Sequence, residues 1–222
     1  MSNQESRRGW GYLCFQLLLL PYLLSTLNSL LDTPLSTAEL NFLFYCVNFI
    51  AIVIIFHNYL RASARAALRN FWELLQAFIV GLVAYEASNF LVTQTILHFF
   101  PGFSNVNDAS IGAMTRSNFT LMAIGITLLV PPVEEVLYRG MIFKRLCGVS
   151  RPAAYIVSIL FFGAIHVLGY WGSCSVGTLA LCFVQYIPAG LWLAWTCHKA
   201  DNILASIAVH AAINAIGLYF TR

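Results

Sequence analysis

Three segments of this chain place ionisable or amide side chains inside otherwise apolar runs. PPVEEVLYRG holds Glu134, Glu135 and Arg139; FFGAIH holds His166 with Phe162 four residues before it; HAAIN holds His210 and Asn214 four apart. Glu135 and Arg139 share a helical face with the acid first, the favourable order for an ion pair within one helix. Glu134 points about 100° away round the helix and lacks that partner. His210 and Asn214 likewise share one face. A carboxylate, two imidazoles and a carboxamide are the parts of a hydrolytic site. A desolvated carboxylate can take a proton from water, imidazoles can position that water, and an amide N–H can face the oxyanion that forms. One glutamate and two histidines are also a legitimate ligand set for zinc, although the HExxH spacing on a single helix is absent.

The elements that must position these groups are membrane spans. The 222 residues are 59% hydrophobic and 9% charged, against roughly 45–50% and about 25% in an ordinary soluble domain. About 20 apolar residues cross a bilayer core of roughly 30 Å. Such runs extend over Trp10 to Leu31, Ala38 to Leu60, Phe71 to about Phe100, Phe119 to about Leu146, Pro152 to Tyr170, Val176 to His198 and Asn202 to Phe220. Pro188 and Gly190 leave the sixth run open as one crossing or two shorter elements, so seven spans are expected, or eight. An ionisable side chain in mid-membrane costs about 2.5–3.5 kcal/mol on insertion scales and needs a reason. At about 1.5 Å per residue, Glu134 lies roughly 15 Å from Lys144, His166 roughly 22 Å from Arg151 and His210 roughly 14 Å from Asp201, so three spans converge on one layer. Adjacent Pro131 and Pro132 predict a break in the fourth span, with both glutamates in the first turn of the new segment, near the positive end of its dipole.

Charge reports orientation. Nine Lys and Arg fall on one side (Arg7, Arg8, Arg61, Arg65, Arg69, Lys144, Arg145, Arg151, Lys199) and two on the other (Arg116, Arg222). The N-terminus is therefore expected in the cytoplasm and, with seven spans, the C-terminus outside. A net charge of +3 is too thin for a phosphate-binding face, which excludes nucleic acid and leaves membrane lipids as the surroundings. The run ahead of Leu31 is too long for a signal peptide. RASARAALRN puts three arginines on one face of a short surface helix, and PGFSNVNDASIGAMTRSN reads as an exposed loop. The six cysteines are scattered and read as small buried hydrophobes. His57, His98 and His198 lie near span ends, Glu73 is placed to pair with Arg69, and Trp10, Trp72 and Trp171 fit an interfacial belt. Glu86 and Asn89, three apart in the middle of the third span, either support or line a site or bond between helices. Residues 1–118 form three spans and the loop, and 119–222 form a core of four spans carrying the polar motifs. The whole is one all-α polytopic membrane domain with no fixed-period repeat.

In this order and setting, EEVLYRG, FGAIH and HAAIN resemble the EExxxR, FxxxH and HxxxN/D motifs of the CPBP family of intramembrane proteases. That family includes the CAAX prenyl endopeptidases and the bacterial Abi proteins associated with bacteriocin processing and self-immunity. The resemblance covers Phe119 to Phe220. It implies a bundle like that of the CAAX prenyl endopeptidases and a water activated by glutamate without a required metal. Glu134 would be the catalytic carboxylate, Glu135 and Arg139 its supporting pair with Phe162 beside them, and His166, His210 and Asn214 the remaining site groups. Zinc, if bound, would sit on Glu134, His166 and His210. The implied substrate is a membrane-associated peptide or a prenylated protein, and the implied setting a bacterial plasma membrane. The family also implies an alternative, a non-proteolytic protein of bacteriocin immunity or of sensor-kinase modulation. A transporter built on a proton relay is disfavoured because the two halves carry no matched broken helices.

Overall fold

A computed structural model of the chain describes residues 1–220. Its first helices begin where the sequence supplies acceptors for their free N–H groups. Ser2 with Glu5, and Ser36 with Glu39, close capping boxes on α1 (Asn3–Leu18) and α3 (Thr37–Ile55). Between them α2 (Leu20–Ser29) leaves α1 at 46°, because Pro21 has no N–H to continue the ladder. The first expected span is thus a bent pair. Glu5 also accepts from the Tyr59 N–H at 2.9 Å, which ties α1 to the surface helix α4 (His57–Arg69) and its exposed arginines.

Asn70 ends α4 before α5 (Phe71–Phe99) begins. This break separates Arg69 from Glu73, and the pair expected between them does not form. The ion pairs among the described residues are Glu135–Arg139, Lys144–Asp201 and His210–Glu135. The polar stretch after α5 is another departure from expectation. Instead of an exposed loop it contains α6 (Val106–Ser117), whose cap Asn105 accepts from the Asn107 and Asp108 amides. Its polar composition reflects a helix that faces a cavity rather than open solvent.

α7 (Phe119–Cys147) is the most buried of the long helices. The break expected at Pro131 and Pro132 is absent, so the two glutamates do not sit at a free helix start. The chain instead widens into π-helical turns over Gly125–Leu129 and Val136–Phe143, on either side of the prolines and glutamates. Val133, Val136, Leu137 and Met141 of α7 form the centre of the main core, against Ile52 and Phe56 on one side and Phe162, Leu193 and Val209 on another.

α8 (Arg151–Leu168), α9 (Val176–Lys199) and α10 (Ile203–Phe220) complete the bundle. α9 contains Pro188 yet runs as one helix of 24 residues, which decides for one crossing there. α8 and α9 touch closely: a Cβ on Gly190 would lie 2.6 Å from Ile159 Cα, and the Ser158 hydroxyl donates to the Gly190 carbonyl at 3.0 Å. Small residues and a hydroxyl are what helices use to associate where lipid removes the hydrophobic drive. Six helices are long and apolar enough to span, and the bent α1–α2 pair makes a seventh. The chain is an all-helical, polytopic membrane protein. Arg222, counted above for orientation, lies outside the described residues.

Candidate active site

Glu135 is the hub of the polar groups in α7. It and Arg139 are both fully buried, with Nη1 and Oε1 2.8 Å apart. The same Oε1 accepts from His210 Nδ1 at 2.9 Å. A carboxylate only accepts, so the His210 hydrogen sits on Nδ1 and Nε2 is left uncommitted. Arg139 also reaches the Ala189 carbonyl at 3.4 Å and stacks over Phe162, 4.4 Å from the ring centroid. One ion pair therefore joins α7, α8, α9 and α10.

His166 is fixed in the same manner. Its Nδ1 donates to the Phe162 carbonyl one turn earlier at 2.8 Å, and its ring stacks on Tyr186 with centroids 4.5 Å apart. Both imidazoles thus keep Nε2 available.

Asn214 is placed by the π-helical turn. Val130 N–H reaches back to the Gly125 carbonyl, and the residue five beyond Ile126 is Pro131, which has no N–H. The Ile126 carbonyl is left without a helical donor, and Asn214 Nδ2 supplies one at 2.7 Å. One amide hydrogen of Asn214 is thereby committed and one remains.

Glu134 is half-buried, and its Oε2 is a buried oxygen with no hydrogen-bond partner. Such an atom is costly unless something occupies the space before it. Glu134, His166, His210 and Asn214, with Phe162, all line one cavity of about 660 Å³, within the range of roughly 300–1,000 Å³ typical of ligand sites. Glu135 and Arg139 stand behind its wall. Among the described residues no three His, Cys, Asp or Glu side chains form a group able to hold a metal ion. Glu134, His166 and His210 as arranged do not fit zinc.

The motifs account for only part of this cavity. α1, α3, α5 and α6 contribute Gln16, Asn41, Asn48, Asn89, Asn107 and Asp108 to its wall. Of the two polar residues singled out in α5, Asn89 lines the cavity and Glu86 does not. Tyr186 of α9 joins the halves: its hydroxyl donates to Asp108 Oδ1 at 3.1 Å and accepts from Asn107 Nδ2 at 2.9 Å. A polar signal does exist for some of these positions, since Asn41 and Asn48 lie two turns apart within an apolar span. Nothing in the sequence distinguishes Tyr186 from the other nine tyrosines.

The chain is 24% identical over 149 residues to the UPF0177 protein YxdF of Lactococcus lactis, covering 66% of this chain and 77% of that one. It is 26% identical over 156 residues to a second UPF0177 protein of the same organism, YbdI, covering 69% and 77%. No solved structure matches it significantly. The family profile described as type II CAAX prenyl endopeptidase Rce1-like matches residues 116–216. Glu134, His166, His210 and Asn214 all fall inside that match, so the part of the chain that carries the motifs is similar to the Rce1-like family.

Proposed function

We propose that the protein is an intramembrane endopeptidase that hydrolyses a peptide bond of a membrane-associated peptide or protein with a water activated by Glu134. The observation that carries this reading is the unpartnered Glu134 oxygen on a cavity wall that also holds two imidazoles, each with a free Nε2. Glu134 takes a proton from water as the hydroxide adds to the carbonyl carbon. It returns that proton to the amine as the C–N bond breaks. His166 Nε2 holds the water. His210 Nε2, left free by the Nδ1 bond to Glu135, holds the water with it, and the remaining Asn214 N–H donates to the oxyanion. Glu135 and Arg139 keep His210 in the tautomer and position this requires.

The test is cleavage of quenched peptides, prenylated and plain, by detergent-purified wild type and Glu134→Ala, each with and without a chelator. Loss of a general base is expected to lower the rate by about 10²- to 10⁴-fold with no effect of chelator. A Glu134→Ala protein that cuts as fast as wild type would sink the reading. Chelator-sensitive cleavage would replace the metal-free mechanism with a metal-dependent one.

A further inference from the structure

The cavity wall has a one-sided charge. It carries two carboxylates, Glu134 and Asp108, and no Lys or Arg. Arg139, the nearest cation to the motifs, is fully buried behind the wall and engaged with Glu135. The buried polar atoms of the wall that lack partners are also of one kind. They are Glu134 Oε2 and Oε1 of Gln16, a residue only 5% exposed, and both are acceptors. Besides Gln16 the wall holds seven carboxamide side chains, Asn41, Asn48 and Asn89 among them. Asn48, Asn105, Asn107 and Gln185 are each bonded through both amide oxygen and nitrogen, which fixes the polar wall in place. Asp108 is solvent-accessible and takes a hydrogen bond from Tyr186, the ring that stacks on His166. An anionic carboxylate therefore stands one aromatic ring away from an imidazole of the site.

A free C-terminal carboxylate entering this cavity would meet two like charges and no cation, which disfavours it. A cationic side chain would meet a carboxylate and unfilled acceptors. We infer that the cavity selects a peptide segment internal to its chain that carries a Lys or Arg, with Asp108 receiving the cation while the scissile bond lies against Glu134. The position of the cut bond rests on the hydrolytic reading above; the selection for charge does not. Asp108 is then a specificity residue rather than only an anchor for Tyr186.

Asp108→Asn separates these roles, because it keeps an acceptor oxygen for the Tyr186 hydroxyl and removes the charge. The substrates are quenched peptides differing at one position, Lys, norleucine or Glu, each with a free or an amidated C-terminus. Cleavage is read as kcat/KM ratios within each protein, so that a general loss of activity cancels. Binding of the same peptides, fluorescently labelled, is read separately on Glu134→Gln with and without Asp108→Asn. Wild type is expected to favour Lys over norleucine by about tenfold and to prefer amidated ends, with the Lys preference falling to about twofold or less in Asp108→Asn. A preference unchanged by Asp108→Asn, or a wild type that prefers Glu or free carboxylates, overturns the inference. Binding that depends on Asp108 without any cleavage would uphold charge selection and sink the hydrolytic reading. Cleavage blind to charge would do the reverse, and neither binding nor cleavage would overturn both.

Discussion

At the scale of single residues, one glutamate oxygen serves two partners on different helices. Glu135 Oε1 accepts from Arg139 and from His210, and Glu135 and Arg139 lie where water does not reach. Removing one member of a buried pair leaves an uncompensated charge, at a cost of about 3–5 kcal/mol. Arg139→Met is expected to lose that much stability, read as a lower denaturation midpoint in detergent. Glu135→Gln keeps an acceptor for His210 but removes the charge that strengthens the bond fixing its Nδ1 hydrogen. Its expected effect is a kcat reduced about 10- to 100-fold with KM little changed, the usual size for a group that orients another. Equal kcat in Glu135→Gln and wild type would show that His210 needs only a hydrogen bond.

At the scale of the element, α7 tolerates two adjacent prolines because its hydrogen bonding widens before them and a neighbouring helix completes it. The Ile126 carbonyl depends on Asn214, so Asn214→Ala is expected to cost about 1–3 kcal/mol by leaving a buried acceptor unmet. In a Pro131→Ala background a main-chain N–H becomes available five residues on, and the same substitution should cost less. A double-mutant cycle by chemical denaturation measures the difference, and full additivity would sink the explanation. The α8–α9 contact gives an independent case. Gly190→Ala drives a Cβ against Ile159 backbone, where no side chain can swing away, and overpacking of this kind costs about 1–3 kcal/mol.

At the scale of the whole molecule, α4 with Arg61, Arg65 and Arg69 lies on the same side as Lys144, Arg145 and Lys199, and the turn at Gly172 lies on the other. By the positive-inside rule we propose that α4 faces the cytoplasm. In intact cells, with the six native cysteines replaced by serine or alanine, a membrane-impermeant thiol reagent is expected to label Ser173→Cys and to spare Arg65→Cys, and the opposite pattern would invert the topology. The N-terminal helices are also more than an anchor, since they build one side of the cavity. Asn48→Leu on α3 would strip the Tyr12 hydroxyl of its acceptor at 2.8 Å. It is expected to raise KM for peptide substrates more than it lowers kcat, which peptide kinetics would measure.

Composition and apolar run lengths were enough to determine a polytopic helical protein, because a bilayer imposes length and apolarity on each span independently of its neighbours. The three motifs were legible for the same reason: an ionisable residue in an apolar run stands out against its surroundings. Pairing of Glu135 with Arg139 could be read from their spacing alone, being local to one helix. The rest is non-local. That His210 takes the same oxygen, that Asn214 completes a π-helical turn and that Tyr186 bridges Asp108 to His166 all depend on which helix faces lie together. The polar stretch that reads as a loop becomes a cavity-facing helix because its side chains find partners on α9. Neither periodicity nor composition carries that information, since the partners are some 80 residues away in the chain. Spans and motifs are written in single segments, whereas the cavity and the one-sided charge of its wall exist only once seven spans are packed.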